Sequence, residues 1–576
     1  MFKKRYTKIL AILSFFISYI LYLDYLLLLK KGIGVNIEFF WVIIIILIIA
    51  LLYQIINFDG TRISELIVLF EIVIISMGLL LMYAMPHAGL FSHDPHWDYS
   101  VVKAISEYGW PLPSAAPIIE RTRNLAEWPL LHILTIMFSK IIRMDSQVIA
   151  KYLPVIITSL TTIFFYLVIK NLYKNVVAAL LGTLAFCSLF WHVFFHSLFI
   201  RETIAFMFFI MIIYILSKRQ DLSIKITFIL TTIAVTFSHH LTCFILMFFA
   251  FVLIIAKYLL PKLINTNTFM KYREDFQDNK LIKSSNTSFL FITICVIAYW
   301  VYVGIFTFKV LNILQNDFLY SSYGSYNLNH YFTASARMII GSYGNVLFLI
   351  SVFIFLLYSI VKGKHNKSVA DIIFLIWGGL IVAIGYISTY IMPRIEFSRF
   401  ILFGYPFLII SATAAIVKFK KPIKYIYMIF VVFQLILIPP YLYNYSLAPE
   451  YEYGRYREYF LPQEYIAVSW FKNKVPLKNK IAGDWTSFEL FGSQQFNVYH
   501  DNEDAVQIFK GNLESLGSYN WLIFRSEDFY AARVGKPRAT NPVVVSQETF
   551  DKFNQDPRMA KVYDNQEIIN YKINQQ

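Results

Sequence analysis

The chain has 576 residues, of which 58% are hydrophobic and only 15% carry a charged side chain. Soluble globular proteins average roughly 45–50% apolar and about 25% charged residues, so this composition excludes an ordinary soluble protein and indicates a polytopic membrane protein. The formal net charge of +15 leaves a nucleic-acid or anionic-lipid partner open until the positions of the charges are considered.

Long apolar segments occur along most of the chain. A segment of about 20 apolar residues can cross the hydrocarbon core of a bilayer as a helix, because a helix satisfies its own backbone hydrogen bonds. The first segment follows a basic stretch at residues 1–8 and lacks a small-residue cleavage site, so we expect a retained helix rather than a signal peptide. The sequence predicts about 13 transmembrane helices, at residues 9–29, 37–57, 66–85, 152–169, 176–195, 202–216, 226–238, 241–260, 288–308, 338–361, 370–391, 400–417 and 425–443.

The loops between these segments differ in basic residues. If the N-terminus is cytoplasmic, the cytoplasmic loops hold 22 Lys and Arg residues in 73 positions, against 13 in 118 positions for the opposite loops. The positive-inside rule therefore favours this orientation. An odd number of spans then places the C-terminal segment outside. We expect a multi-pass protein of the cell (plasma) membrane with a cytoplasmic N-terminus and an extracytoplasmic C-terminal domain.

The positive charge lies in the membrane part of the chain. Residues 450–576 contain 15 Lys and Arg against 17 Asp and Glu, so the rest of the chain carries an excess of 17 positive charges. Most of that excess falls in the cytoplasmic loops, where it orients the protein and attracts anionic lipid headgroups. The charge therefore indicates membrane lipids as a partner, and no nucleic acid.

The chain changes character near residue 450, where alternating polar and apolar stretches replace the long apolar runs. We divide it into a transmembrane domain at 1–449, with an outer loop at 86–151, and a small extracytoplasmic α/β domain at 450–576. In the C-terminal domain, the periodicity predicts helices and strands in alternation. The predicted elements are helices at 466–475 and 505–510, strands at 480–484 and 520–525, and a hairpin at 561–573.

The outer loop opens with a dense group of ionisable residues. Asp94, Asp98, His93 and His96 fall within six positions. Carboxylate and imidazole together suit a divalent cation such as Mg²⁺ or Mn²⁺, with Asp94, His96 and Asp98 as candidate ligands, and one carboxylate could instead act as a general base. The structural alternative is a hydrated loop in which Asp94 before Pro95 caps a helix.

Three other outer turns are short and polar at the membrane edge. A charge near the bilayer is costly unless it faces water or a partner, and the planar arginine fork binds phosphate well. The alternative is that these arginines snorkel and anchor helix ends. Taken with the acidic loop, the turns predict a site for an anionic, phosphate-bearing molecule, and their candidate residues are Arg201, Glu202, His239, His240, Arg394 and Arg399.

These residues resemble the GT-C superfamily of integral-membrane glycosyltransferases, which includes protein mannosyltransferases, lipid-A aminoarabinose transferases and many archaeal and bacterial members. The resemblance covers most of the chain in architecture, with a multi-helix body and a C-terminal domain outside the membrane. Its motifs are short: an acidic motif at 93–98, Gly109-Trp-Pro111 and Trp128-Pro129 after it, and a late Arg399-Phe400 followed by Gly404-Tyr-Pro406.

The resemblance implies a role for each candidate residue. Asp94 would be the base that deprotonates the acceptor. Asp98 and His96 would help to hold a cation or the sugar, and Glu202, His239 and His240 would contact sugar or acceptor. Arg399, with Arg201 or Arg394, would bind the lipid phosphate.

The family uses a polyprenyl-phosphate-linked sugar and usually inverts the anomeric centre, with a glycan, lipid or protein as acceptor. A divalent cation is a possible cofactor, and no organic cofactor is implied. The Trp-Trp-Asp-Tyr-Gly motif of the oligosaccharyltransferase branch is absent, which favours transfer of a single sugar. The loop at 309–337, rich in Tyr, Asn and Ser, is a candidate lid or sugar-stacking surface, or else a connector.

Two alternative functions stay open at this point. One is a polymerase or ligase of lipid-linked glycans, with a similar topology and a polyprenyl-diphosphate donor. The other is a non-enzymatic transporter or flippase for lipid-linked sugars, which would require a polar path through the middle of the membrane and usually has repeat symmetry. The predicted polar residues lie at one face of the membrane instead, which favours a transferase.

Overall fold

A computed structural model of the protein describes residues 2–31, 37–92, 94–116, 118–218, 221–264, 280–303, 336–362, 369–391, 397–447, 460–500, 502–525, 545–566 and 568–574. Three features singled out above fall outside these residues: His93, Arg394 and nearly all of the loop at 309–337. The predictions that concern them therefore stay predictions.

Helices dominate the described residues, and five short strands occur near the C-terminus. The helices are α1 (Phe2–Lys30), α2 (Ile37–Ile56), α3 (Arg62–Ala84), α4 (Asp94–Tyr108), α5 (Glu120–Leu125), α6 (Leu130–Ile142), α7 (Ser146–Tyr173), α8 (Val176–Cys187), α9 (Phe190–Ser197), α10 (Arg201–Leu216), α11 (Leu222–Thr236), α12 (His240–Ile264), α13 (Lys280–Lys283), α14 (Ser285–Tyr302), α15 (Ala336–Val361), α16 (Val369–Ile391), α17 (Phe397–Ile416), α18 (Lys421–Leu447), α19 (Pro462–Lys474), α20 (Trp485–Ser487), α21 (Glu503–Phe509) and α22 (Gln547–Gln555). The strands are β1 (Lys480–Ala482), β2 (Asn497–Tyr499), β3 (Trp521–Arg525), β4 (Met559–Asp564) and β5 (Ile568–Ile573).

The chain forms two compact units. The first, which we call the helical unit, comprises Met1–Pro86 and Tyr152–Asn444. The second, which we call the loop–sheet unit, comprises His87–Lys151 and Tyr445–Gln576. The long loop therefore folds with the C-terminal segment, whereas the division drawn from composition placed it with the transmembrane domain. Composition could not show this, because the contacts that unite the two segments join residues far apart in the sequence.

Each of the 13 predicted apolar segments coincides with a helix, although the segment at 176–195 is broken into α8 and α9. Within the described residues, seven helices are long and apolar enough to cross a membrane, or up to eight if α8 and α9, bent by 64°, form one span. The described α10 and α11 have 16 and 15 residues. At 1.5 Å per residue they are about 24 Å and 22 Å long, shorter than the roughly 30 Å hydrocarbon core.

Glycines allow α16 and α17 to pack closely in the helical unit. A Cβ atom placed on Gly404 would lie 3.1 Å from the carbonyl oxygen of Gly378, and one on Gly378 would lie 3.0 Å from that of Gly404. Small residues at such a crossing let two helix backbones approach, as is common in membrane bundles. The Trp377 indole also donates to the Phe403 carbonyl across the pair at 3.0 Å. This packing fixes the helix that carries Arg399.

A mixed five-stranded sheet forms the centre of the loop–sheet unit, with strand order β2-β1-β3-β5-β4. Strand β1 pairs in parallel with β2 and β3, while β5 pairs antiparallel with β3 and β4. The predicted helix at 466–475, the strands at 480–484 and 520–525 and the final hairpin are confirmed in type and place. Strand β2 and helix α22 were not predicted, since one has three residues and the other lies in a polar stretch.

A buried ion-pair cluster joins the helix and the strands of this sheet region. Arg525, on β3, donates to Glu464 at 2.6 Å and approaches Asp484 at 3.5 Å, and all three side chains are at most 1% exposed. Burial alone would raise the pKa of Asp484, but the charge of Arg525 and the hydrogen bonds from Ser487 outweigh it, so the net pKa is lowered. The arrangement links α19 to the strand ends through one guanidinium that is shared between two buried carboxylates.

Candidate active site

The acidic motif of the long loop forms the first turns of α4. The helix begins at Asp94, and Pro95 occupies its first turn, where no backbone N–H is required for a helical bond. Residues four apart lie on the same face of a helix, so Asp94 and Asp98 face one side and His96 faces another. The helical start agrees with the capping alternative, but it does not by itself account for the second carboxylate.

Asp94 is held by an arginine from α5. The Arg121 guanidinium donates to the Asp94 carboxylate at 3.2 Å and stacks 4.5 Å from the centre of the Trp97 ring. The Asp94 side chain is 59% exposed. A planar guanidinium resting on an aromatic face has a restricted orientation, so Asp94 is oriented and still accessible to a molecule from solution.

Arg121 also contacts a buried carboxylate of the C-terminal segment. Glu489 is only 2% exposed, lies 3.4 Å from Arg121 and accepts a hydrogen bond from the Trp97 indole. It belongs to a π-helical turn, Phe488–Gly492, a local feature that frequently occurs at functional sites. Gly492 in this turn lies against Trp97, where a Cβ atom would come within 3.1 Å of the ring. Asp94, Arg121 and Glu489 therefore form one alternating chain of charges within the loop–sheet unit.

Asp98 has a separate and buried partner. The His132 ring, on α6, donates from Nε2 to the Asp98 carboxylate at 2.9 Å. Both side chains are nearly inaccessible, at 5% and 0% exposed. Because a buried carboxylate requires hydrogen-bond donors, His132 explains why Asp98 is tolerated in this position.

His96 is engaged on both ring nitrogens. Its Nδ1 lies 2.9 Å from the Ser92 carbonyl oxygen, and its Nε2 lies 2.8 Å from the Tyr465 hydroxyl. A carbonyl can only accept, so Nδ1 carries the proton and Nε2 accepts from the tyrosine. Because both ring nitrogens of His96 are bonded within the protein, neither has a lone pair left for a metal ion. Within the described residues, no group of three or more His, Cys, Asp or Glu side chains could hold a metal ion.

Lys103 completes the polar face of α4. Its ammonium donates to the Gln494 side chain and lies 4.8 Å from the Tyr99 ring centre. Burial, assisted by the nearby charge of Lys472, lowers the pKa of Lys103 to about 6.

In the helical unit, an ion pair joins two of the predicted residues. Arg399, near the start of α17, donates to Glu202 on α10 at 2.9 Å. Glu202 is 1% exposed and Arg399 is 27% exposed. The Arg399 guanidinium also lies 5.6 Å from the ring centre of Phe195. The partly exposed arginine can thus reach a ligand, while the buried carboxylate holds it in place.

Two histidines lie within range of the same charges. His239 and His240 have ring centres 4.7 Å apart, and His239 shares a 3.1 Å hydrogen bond with Thr242. Arg201, the first residue of α10, and Arg399 both act electrostatically on these two rings. The structure therefore brings together five predicted residues of the helical unit, Arg201, Glu202, His239, His240 and Arg399.

Sequence reasoning missed the residues that hold the acidic motif. Arg121, Glu489, His132 and Tyr465 were not singled out, and Trp97 was noted only as part of the motif. Signals did exist: Arg121 is one of few basic residues in a long loop, and His132 follows the Trp128-Pro129 pair. Glu489 carried no usable signal, since its partner is separated from it by 368 positions.

The sequence matches no protein-family model and no curated protein.

Several solved structures are similar to this chain at low identity. Two are crystal and complex structures of the oligosaccharyltransferase of Archaeoglobus fulgidus. One is tethered to an acceptor peptide with the NVT sequon (12% identity, TM-score 0.47, covering 90% of this chain and 74% of that chain). The other, AglB, is in complex with an inhibitory peptide and a dolichol-phosphate (11% identity, TM-score 0.48, covering 81% and 71%).

A third is the cryo-EM structure of the arabinofuranosyltransferase AftD from Mycobacteria, with 11% identity and a TM-score of 0.52. The match covers 88% of this chain and 40% of AftD, so the chain spans about two fifths of that protein. At this identity the likeness concerns the fold alone. The chain therefore has a multi-helical fold similar to that of AftD, together with a small mixed β-sheet region.

Proposed function

We propose that this chain is a membrane glycosyltransferase that transfers a sugar from a polyprenyl-phosphate donor to an acceptor at the membrane interface. The observation that carries the proposal is the cluster of Arg201, Glu202, His239, His240 and Arg399, gathered from three separate regions of the helical unit. A shared fold does not establish an activity, so the argument rests on these side chains and on those around Asp94.

The arginine cluster suits the phosphate of a lipid-linked donor. Arg399 is partly exposed and backed by Glu202, and Arg201 starts α10, where the helix dipole adds positive potential. During transfer, negative charge grows on the departing phosphate. Fixed positive groups aimed at that charge lower the barrier, and removing one such donor typically costs about 10²–10³-fold in rate. Arg394 is proposed as a third contributor on its position in the sequence.

Asp94 is proposed as the base. It is exposed to an incoming acceptor and oriented by Arg121, as a general base must be. In the reaction, the acceptor O–H or N–H gives its proton to Asp94 while the acceptor atom bonds to the anomeric carbon. The bond from that carbon to the phosphate oxygen breaks, and its electron pair leaves with the phosphate. A single displacement of this kind inverts the anomeric centre.

The sugar and the acceptor are proposed to contact polar groups beside these two centres. His239 and His240 lie within the field of the arginines and can donate or accept hydrogen bonds to hydroxyl groups. Asp98 and Glu202 are committed to His132 and Arg399 respectively. We therefore propose that these two carboxylates act mainly by fixing their partners.

We also propose a divalent cation, Mg²⁺ or Mn²⁺, held by fewer residues than the three that the sequence predicts. Mg²⁺ is commonly held by one or two carboxylates together with substrate phosphates, and Asp94 is the exposed carboxylate of the motif, whereas Asp98 is buried against His132. His96 does not fit, because both of its ring nitrogens are bonded within the protein. When bound, the cation would neutralise charge on the leaving phosphate.

We propose a plasma-membrane location with 13 crossings, a cytoplasmic N-terminus and an extracytoplasmic loop–sheet unit. The basic residues of the loops support this orientation. Single cysteines tested with a membrane-impermeant thiol reagent in intact cells provide the check. A cysteine at Glu548, which is 80% exposed, should react without lysis, and one at Lys362 should react only after lysis. The opposite pattern would reverse the proposed orientation.

The decisive experiment supplies purified protein in nanodiscs with labelled sugar on a polyprenyl phosphate, and separately with a glycan on a polyprenyl diphosphate. We expect covalent transfer from the monophosphate donor and a loss of about 10²–10⁴-fold in rate for Asp94→Asn. Glu548→Gln, an exposed carboxylate of the same unit, is the matched control and should be unaffected.

Other outcomes would point to the alternatives. Transfer from the diphosphate donor alone would indicate a polymerase or ligase, and movement of the intact lipid-linked sugar across the bilayer without transfer would indicate a transporter. A fully active Asp94→Asn protein would remove Asp94 from the reaction while leaving the donor assignment standing.

A further inference from the structure

The end of α6 exposes an unusual group of apolar side chains. The N-terminal half of this helix is packed within the loop–sheet unit, with Leu131, His132 and Thr135 all buried. Its C-terminal half and the first turn of α7 instead expose large apolar side chains, which we call the α6–α7 tip. Its members are between 36% and 71% exposed: Met137, Phe138, Ile141, Ile142, Met144 and Val148.

The tip differs from the rest of its unit. Elsewhere in the described part of the loop–sheet unit, large exposed apolar side chains occur singly, at Ile466, Leu477 and Val562. Isolated exposed residues of this kind are normal, whereas a contiguous apolar surface marks a contact with a protein or a membrane. This contrast marks the tip as a candidate contact surface.

We propose that the partner is the lipid bilayer, and that the α6–α7 tip inserts into the interface of the membrane crossed by α7. Only Arg143, Met144 and Asp145 separate α6 from α7 (Ser146–Tyr173), which is long and apolar enough to cross a membrane. The tip is thus tied by a very short connection to a segment expected in lipid.

The length of α6 agrees with insertion at the interface. It has 13 residues, which corresponds to about 20 Å against a hydrocarbon core of roughly 30 Å. A short helix with one apolar end lies in the headgroup and upper acyl region, where its apolar side chains leave water and its backbone stays hydrogen-bonded.

The charges of the tip complement an anionic lipid surface. Lys140 lies within the apolar group and Arg143 directly follows the helix, in a left-handed conformation at φ 58°. Asp145 is the sole acid between residues 130 and 148, and its carboxylate accepts from the Gln147 backbone N–H at 2.6 Å. Basic residues beside inserted apolar side chains strengthen attachment to anionic lipids.

Insertion would also set the depth of the proposed base, a consequence that rests on the proposed function. The same helix carries His132, which holds Asp98 on α4 at 2.9 Å. Anchoring α6 in the interface therefore fixes the level of α4, and of Asp94 on it, relative to lipid headgroups. A lipid-linked donor presents its reactive carbon at that level.

Fluorescence in nanodiscs tests the insertion without any need for activity. Cysteine is placed at Ile141, or at Glu548 as an exposed control in the same unit, and labelled with NBD in a Cys295→Ala background; Cys187 and Cys243 are buried. We expect the Ile141 label to emit at shorter wavelength and to be quenched by lipids with a nitroxide near the headgroup. The Glu548 label should be quenched by aqueous iodide only.

Two results would overturn the proposal. One is an Ile141 label that behaves like the Glu548 label, and the other is a blue-shifted label that no nitroxide lipid quenches, which would indicate a protein surface such as a second copy. As a further check, the double variant Lys140→Glu/Arg143→Glu should lose lipid quenching in anionic nanodiscs and keep it in zwitterionic ones. Unchanged quenching in both would remove the basic residues from the contact.

Discussion

The guanidinium of Arg121 lies 3.2 Å from the carboxylate of Asp94, and its other terminal nitrogen lies 3.4 Å from Glu489. Asp94 is 59% exposed and Glu489 only 2% exposed. The buried carboxylate therefore anchors the arginine, and the arginine in turn positions the accessible carboxylate. Through this chain the C-terminal segment acts on the residue proposed as the base.

Arg121→Met should lower kcat by about 10²-fold, since a misplaced catalytic group can cost that much. The donor KM should change little, because Arg121 is not assigned to the phosphate. Arg121→Lys should recover part of the rate, as it keeps the charge and loses the planar fork. Steady-state kinetics with a polyprenyl-phosphate sugar measure both parameters.

Arg123→Met is the matched control for this prediction. Arg123 belongs to the same short helix, but it donates only to backbone carbonyls of residues 113, 114 and 116. The loss of the Arg123 side chain should affect the stability of the protein more than it affects kcat. An Arg123 variant as slow as the Arg121 variant would mean that α5 acts through its fold and not through the contact with Asp94.

Sequence reasoning could find the parts of this site that are local. Asp94 and Asp98 stand out because they are four residues apart, and the apolar runs that become helices are continuous in the chain. Their partners are not local: Arg121 is 27 positions from Asp94, and His132 is 34 positions from Asp98. A single sequence does not show which distant residues face each other. The network around α4 could therefore be recognised only in the structure.

His132→Phe should destabilise the protein by about 1.5–3 kcal/mol, the usual value of a hydrogen bond to a charged group. The substitution retains an aromatic ring and leaves the Asp98 carboxylate buried with one donor fewer. Urea unfolding followed by limited proteolysis of the loop–sheet unit measures the change.

His132→Gln serves as the control, because its amide can still donate. It should retain more stability than the Phe variant. If the two variants are equally stable, the bond between His132 and Asp98 contributes nothing and the ring acts by packing alone.

Arg399→Ala should reduce transfer by about 10²–10³-fold, because a fixed donor to the departing phosphate is lost. Arg399→Lys should recover only part of that loss, since an ammonium lacks the planar fork that matches two phosphate oxygens. Rates with the labelled donor, together with donor affinity from binding titrations, separate effects on binding from effects on chemistry. Lys421→Ala, at the start of α18, is the control for a general loss of positive charge.

Glu202→Gln tests the buried half of the same pair. Glu202 is 1% exposed, and its loss of charge should free Arg399 from its fixed orientation while preserving its size. We expect a smaller loss of rate than for Arg399→Ala. A Glu202→Gln variant less active than Arg399→Ala would assign the carboxylate a role of its own.

Arg525→Met should destabilise the loop–sheet unit by about 3–5 kcal/mol at neutral pH, because it leaves Glu464 and Asp484 buried without their cation. The pKa of Asp484 is lowered in the folded protein, so its contribution is fully present above the unfolded pKa and is lost as the pH falls through the folded pKa. The stability gap between wild type and variant should therefore be largest near pH 7 and should narrow below about pH 4. Urea unfolding across this range measures it.

Lys552→Met is the control, since Lys552 is 49% exposed and its pair with Glu548, which is 80% exposed, lies at the surface. Exposed pairs contribute about 0–1 kcal/mol, so this variant should be nearly as stable as the wild type. The triple variant Arg525→Met/Glu464→Gln/Asp484→Asn should regain part of the loss, because no buried charge is then left unpaired. An Arg525→Met protein as stable as the Lys552→Met protein would mean that water reaches the cluster, and that burial of the two carboxylates is not what makes Arg525 necessary.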